Sequence, residues 1–244
     1  TNTLDYSKNF VYNVAGKQIF YDRYKEIIAE NRNLNIVFTL DISAQNAKSS
    51  AIAKSVFQDF QVKLSNLSYS NKINYGVVLY KNNTCGDNLA VSELSDNLDV
   101  ISKFIDDKSA EMKCNGPSGQ PYQLGLAAAG NLLRDLPDQS NIVVAIGSTA
   151  SSGAGVSDAI RNLSQARARI IAYQTVSGAD SEYNNFVLTS ENIVTNTAKN
   201  VAKLKMDKIV EQNEVTNKNN YNLVGIDDGF YSLDYPKTSM TQGF

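Results

Sequence analysis

The sequence predicts a three-layer α/β fold: a doubly wound, mostly parallel sheet with helices on both faces and one short antiparallel strand at its edge. Three observations carry this. From Asn35 onward, apolar runs alternate with amphipathic stretches, the pattern of strands separated by helices. Ile36 to Leu40 is an apolar run of the kind found in a strand buried on both faces. Only eight residues separate the segment ending at Tyr80 from the one starting at Leu89, too few for a helical crossover, so those two strands pair antiparallel.

The elements follow in order. After the strand at 36–40, Ile52, Val56, Phe60 and Leu64 recur at a spacing of four, one face of a helix. Ile73 to Tyr80 reads as the second strand and Leu89 to Leu94 as the short third one at the sheet edge. Leu98, Ile101 and Ile105 mark a helix with Asp96 near its start, and Leu124 to Leu133 is an Ala-rich helix able to pack closely. Ile142 to Ile146 is a buried strand, Ser157 to Ala168 a helix with Ser157 as candidate N-cap, and Ile170 to Val176 a further strand. Ser181 to Leu188 reads as a short helix and Asn192 to Val194 as a minimal edge strand. Ala198, Val201, Ala202, Leu204, Ile209 and Val210 then mark a last helix ending near Gln212.

The core unit therefore spans residues 33–212. Residues 1–32 form an N-terminal extension, with a hairpin from Phe10–Val14 and Gln18–Tyr21 around Ala15-Gly16, then a helix over Asp22–Glu30. Residues 213–244 form a C-terminal extension in which Tyr221, Phe230, Tyr231 and Tyr235 recur. That density of aromatics exceeds what a free linker exposes, so the segment either packs back on the core or meets a neighbouring domain. A start at Thr1, without methionine or signal peptide, suggests a processed or excised piece of a longer chain.

Composition excludes several functions. With 244 residues the chain can bury one large core, and no segment approaches the roughly 18 apolar residues of a membrane span. A net charge of -2 with scattered lysines gives no electrostatic footing for nucleic acid or an anionic membrane. Histidine is absent, which removes Ser-His-Asp and Cys-His nucleophiles, His-ligated zinc and the commonest general base near neutral pH. No enzyme and no cofactor are expected.

The most informative motif is the strand that ends in Asp41-Ile42-Ser43-Ala44-Gln45 and leads into a helix. Together with the antiparallel third strand and the long last helix, it resembles the von Willebrand factor A domain over about residues 33 to 212. That family's metal-ion-dependent adhesion site takes Asp-x-Ser-x-Ser from the first loop, a Thr from a Gly-Gly-Thr-like turn and an Asp after the fourth strand. Magnesium requires such a near-octahedral oxygen shell with one or two carboxylates. Here Asp41 and Ser43 are kept, Gln45 replaces the second serine, and Gln120 stands at the threonine. Gly147-Ser148 supplies no carboxylate after the fourth strand. The resemblance thus implies the fold and a vestigial metal site, at Asp41, Ser43, Gln45, Gln120, Gly147 and Ser148, with no metal bound. Asp41 and Ser43 then serve to tie down the turn.

Cys85 follows the second strand, and Cys114 follows the helix that climbs back from the third strand, so the inferred topology delivers both to the carboxyl face of the sheet. A disulfide between them would stabilise by roughly 3–4 kcal/mol and implies an oxidising compartment. The loop from Gly147 to Gly155 sits between a strand and a helix, where backbone amides can cradle a phosphate, but it lacks the third glycine and the Gly-Lys-Ser/Thr of known motifs. The adjacent acids Asp106-Asp107 and Asp227-Asp228 read as solvated turns. The Asn-x-Ser/Thr triplets at Asn66, Asn82 and Asn162 are matches expected by chance in an Asn-rich chain.

The Asn/Lys-rich composition and aromatic flanks are further similar to the A-like domains of R-type accessory proteins of the Bacteroidetes type VI secretion system. The function this implies is a non-enzymatic interaction or scaffold domain, outside the cytoplasm in the periplasm or envelope, whose partners are other protein subunits. A divalent-metal-dependent adhesin and a phosphate- or nucleotide-binding enzyme domain are the alternatives.

Overall fold

The computed structural model describes residues 3–5, 10–12, 18–20, 33–43, 49–65, 72–81, 88–112, 121–151, 155–176 and 178–213. Three short strands, β1 (Thr3–Asp5), β2 (Phe10–Tyr12) and β3 (Gln18–Phe20), pair antiparallel in that order. The expected hairpin is the β2–β3 pair, while β1 is too short for its alternation to register as a strand in sequence. The helix expected at 22–30 and the aromatic segment after residue 213 lie outside the described residues.

The remaining elements are β4 (Leu34–Asp41), α1 (Ser49–Ser65), β5 (Ile73–Tyr80), β6 (Leu89–Val91), α2 (Leu98–Glu111), α3 (Tyr122–Leu133), β7 (Ser140–Gly147), α4 (Val156–Gln165), β8 (Arg169–Gln174) and α5 (Ser181–Asn213). Their five strands form one sheet in the order β6-β5-β4-β7-β8, parallel except for the antiparallel edge strand β6. Successive side chains of a strand point to opposite faces, so each central strand feeds two cores. Val37, Val78, Tyr80, Val143 and Ala145 pack with residues of α3, α4 and α5. Ile36, Phe38, Leu40, Val77, Leu79, Val144 and Ile146 pack with residues of α1 and α2. This two-sided burial is why these strands read as unbroken apolar runs.

Three expectations need correction. The short helix expected at Ser181–Leu188 and the last helix expected from Ala198 are one continuous helix, α5, and the stretch Asn192–Val194 between them is part of it rather than a strand, so among the described residues the sheet ends at β8. The buried positions Phe186, Ser190, Ile193, Val194 and Thr197 follow the helical spacing i, i+4, i+7, i+8 and i+11, with two polar residues disguising the period. Asp96 lies near the start of α2 as expected and faces Lys72 at 3.6 Å, while Asn97 caps the helix, accepting a hydrogen bond from the Asp99 N–H at 2.9 Å. Helix α4 starts at Val156 after Gly155, whose φ of 108° favours glycine, so Ser157 lies inside the first turn. On α1, the fully buried line runs through Ala53 and Phe57, with Ile52 and Val56 at its margin. Phe57 stands between the rings of Phe38 and Tyr75, at 4.2 and 5.4 Å.

At the amino-terminal end of the sheet, asparagines line up across three neighbouring strands. Asn35 is in register with Asn74 on one side and Asn141 on the other. Asn74 donates to Asn35 at 2.7 Å, and Asn35 donates to Asn141 at 2.8 Å and to Gln139 at 2.9 Å. Asn141 in turn donates to the carbonyls of Leu136 and Ala166, just beyond the ends of α3 and α4, at 2.8 and 2.7 Å. Register and helix position are thereby fixed by one polar chain.

Candidate functional site

In an open α/β sheet, ligands bind in the crevice outside the carboxyl ends of the strands where the strand order reverses. Here that point lies between β4 and β7. The sequence singles out residues at this place, and the structure brings several of them together. Asp41 closes β4 and is fully buried, with Oδ1 accepting from the Ser43 N–H at 2.8 Å. That bond is the turn-fixing role expected of the pair. Gly147 closes β7 beside it, a Cβ at Gly147 falling 3.5 Å from the Cβ of Asp41. Ser148 is fully buried, and its carbonyl accepts from Gln174 Nε2 at 2.8 Å. Gln45, Gln120, Cys85 and Cys114 lie outside the described residues.

The crevice is occupied by aromatic side chains. Tyr80, at the end of β5, reaches across the end of β4 towards β7, and a Cβ on Gly147 would come within 2.3 Å of its hydroxyl. Tyr122 of α3 and Phe186 of α5 complete the filling, with ring centroids 6.2 Å (Tyr80 to Tyr122) and 4.5 Å (Tyr122 to Phe186) apart. The Tyr122 hydroxyl accepts from Ser190 at 2.9 Å, whereas the Tyr80 hydroxyl is sealed from solvent without a hydrogen-bond partner. Burial pushes the Tyr80 hydroxyl well above its usual pKa, and the negative charge of Asp41 adds to the effect. Burial also raises Tyr122, partly offset by the Ser190 bond. Both rings are therefore neutral fillers at physiological pH. Sequence reasoning missed Tyr80, because its reach depends on β4 lying between β5 and β7 in space.

Chemically the arrangement offers little. Among the described residues, no three His, Cys, Asp or Glu side chains are grouped to hold a metal ion. Of the Gly147–Gly155 loop, Ser148, Thr149 and Ala150 are buried, and the Ala150 N–H donates to the Glu182 carbonyl at 3.0 Å, so this amide is engaged rather than offered to a phosphate. Asn162, in one of the Asn-x-Ser triplets, is buried and donates to the Ala127 carbonyl at 3.1 Å. No described helix is long and apolar enough to cross a membrane.

Comparison with solved structures finds the pilus adhesin SpaC of Lactobacillus rhamnosus GG in its open conformation, at TM-score 0.47 and 10% identity. The match covers 74% of this chain but only 30% of the adhesin, so the chain spans less than a third of that protein's length. The conserved hypothetical protein BatB of Bacteroides thetaiotaomicron is similar at TM-score 0.42 and 10% identity, over 59% of this chain and 66% of BatB. No curated protein matches the chain. The family model described as the TssR protein VWA domain matches residues 1–244, so the resemblance read from Asp41-Ile42-Ser43 and the strand order is a true membership, and the chain belongs to the TssR VWA domain family.

Proposed function

We propose that the chain is a protein-binding scaffold domain of a type VI secretion assembly, working outside the cytoplasm without metal or catalysis. The observation that carries this reading is the state of the switch-point crevice. Tyr80, Tyr122 and Phe186 fill it, and the one carboxylate beside it, Asp41, is turned onto its own loop. A divalent ion seeks several oxygen ligands and retained waters, and a crevice filled by apolar rings supplies neither. Family membership supports the assembly, and the absence of histidine supports a non-enzymatic role.

Cross-linking in cells that make the tagged full-length parent protein, followed by isolation, is expected to recover envelope components of the secretion machine. Recovery of none from a folded, expressed protein would overturn the reading. Calorimetry with Mg²⁺ and Mn²⁺ separates it from the metal-dependent adhesin. The expected trace is flat at millimolar ion, and a response abolished by Asp41→Ala would favour the adhesin instead. Residence outside the cytoplasm predicts that Cys85 and Cys114 are bridged. Alkylation of the isolated protein before and after reduction should add two labels only after reduction, whereas labelling without reductant would argue for a reducing compartment.

A further inference from the structure

Helix α5 runs alongside α4 and continues beyond its last turn. It starts beside the loop after β7, where the Ala150 N–H donates to the Glu182 carbonyl at 3.0 Å. At Asn200, whose Nδ2 donates to Ser164 Oγ at 3.3 Å, it meets the end of α4. Helix α4 stops at Gln165, whereas α5 goes on to Asn213, so residues 201–213 add about 20 Å of helix past that contact.

The apolar period of α5 changes face along the way. Phe186, Ser190, Ile193 and Thr197 are buried and form the row that docks on the fold. From Ala198 a second row follows, Ala198, Ala202, Met206 and Ile209, at the helical spacing i, i+4, i+8 and i+11. At the pitch of an α-helix this row stands about 140° round the axis from the first. Leu188 stands on this same outer side nearer the start of the helix and is 54% exposed, with the exposed Glu191 between it and Ala198. An apolar row on the side of a helix turned from its own core is a docking stripe for another segment.

Charge selects the occupant. Lys203 and Lys205 border the second row, one on each side, and Asp207 and Glu211 fall on the opposite half of the helix. A second copy would set these lysines against their own kind. The chain itself carries a segment of the matching chemistry: residues 221–235 hold Ile226, Phe230, Tyr231 and Leu233 among Asp227, Asp228 and Asp234, with no lysine or arginine. Residues 214–220, which join it to α5, reach up to about 23 Å when extended. That exceeds the roughly 17 Å from Ala198 to Ile209 along the helix.

We propose that the outer row of α5, at Ala198, Ala202, Met206 and Ile209, is the docking surface for the chain's own segment 221–235, with the acids of that segment set against Lys203 and Lys205. Apolar contact supplies the affinity and the flanking charges the choice of occupant. A foreign helix reaches the row only by displacing the segment.

The test treats an equal mixture of ¹⁵N-labelled and unlabelled whole chains with a zero-length carbodiimide and maps the amide links by mass spectrometry, which needs no variant. Links from Lys203 or Lys205 to Asp227, Asp228 or Asp234 within one chain are expected, with the Lys54–Asp106 ion pair as the positive control. In parallel, chymotrypsin cleavage at Phe230 and Tyr231 should be slow and should accelerate by at least about tenfold in Met206→Asp. Glu211→Gln, on the far side of the helix, should leave it unchanged. Links that join labelled to unlabelled chains overturn the proposal by assigning the row to a second copy. Absence of these links while Lys54–Asp106 forms also overturns it, as does cleavage of the unaltered chain as fast as in urea.

Discussion

Asn35→Ala is expected to destabilise the chain by about 3–4 kcal/mol, lowering its melting temperature by roughly 10 °C. Asn35 is fully buried and makes three side-chain hydrogen bonds, one accepted from Asn74 and two donated to Asn141 and Gln139. An alanine forfeits all three. The larger cost lies in what remains: Asn141 Oδ1 stays buried without its donor, while the half-buried Asn74 loses its acceptor. Each buried orphan costs about 1–3 kcal/mol, more than the net worth of the bond itself. Asn141 also holds the carbonyls of Leu136 and Ala166, so loosening it releases the ends of α3 and α4. Urea denaturation provides the measurement, with Lys199→Ala, at an exposed position of α5, as a control that should change stability by less than about 0.5 kcal/mol. A loss under about 1 kcal/mol at Asn35 would mean that water replaces the ladder, and that register is set by the apolar positions alone.

That ladder also shows where reading the sequence stops. Asn35, Asn74 and Asn141 each stand at the second position of a buried strand, a recurrence visible in the chain. Its meaning depends on β4 lying between β5 and β7 in register, which pairwise spacing does not disclose. The strand and helix order from Leu34 to Gln174 was legible for the opposite reason: a strand buried on both faces announces itself by local composition. Asn192–Val194 was misread because three residues cannot separate a period of 2 from one of 3.6, and the helical face it belongs to includes Ser190 and Thr197. At the site, Asp41 and Ser43 were legible as a turn motif. Tyr80 was not, because its role arises from strand order, which brings its hydroxyl to Gly147 across the end of β4.

Gly147→Ala should be among the most damaging single-methyl additions in the chain, at about 3 kcal/mol, and Tyr80→Phe should largely rescue it. The new Cβ would lie 2.3 Å from the Tyr80 hydroxyl and 3.1 Å from Phe186 Cε2. Neither ring has room to retreat, since both are packed against Tyr122. Tyr80→Phe alone removes a sealed hydroxyl that has no partner, so it is expected to be neutral or stabilising by up to about 1 kcal/mol. In the double variant the methyl enters the space that the oxygen leaves, and a coupling of about 1–2 kcal/mol should appear in a denaturant double-mutant cycle. Additive effects would mean that the clash is with Phe186 or the backbone, and that Tyr80 does not plug the crevice. The cycle reaches function because one oxygen decides both results. If the hydroxyl fills the switch point, Tyr80→Phe vacates a space next to one carboxylate only, and Mg²⁺ calorimetry on that variant should stay flat. A response gained there would show instead that the Tyr80 hydroxyl, rather than the missing oxygen ligands, is what keeps metal out.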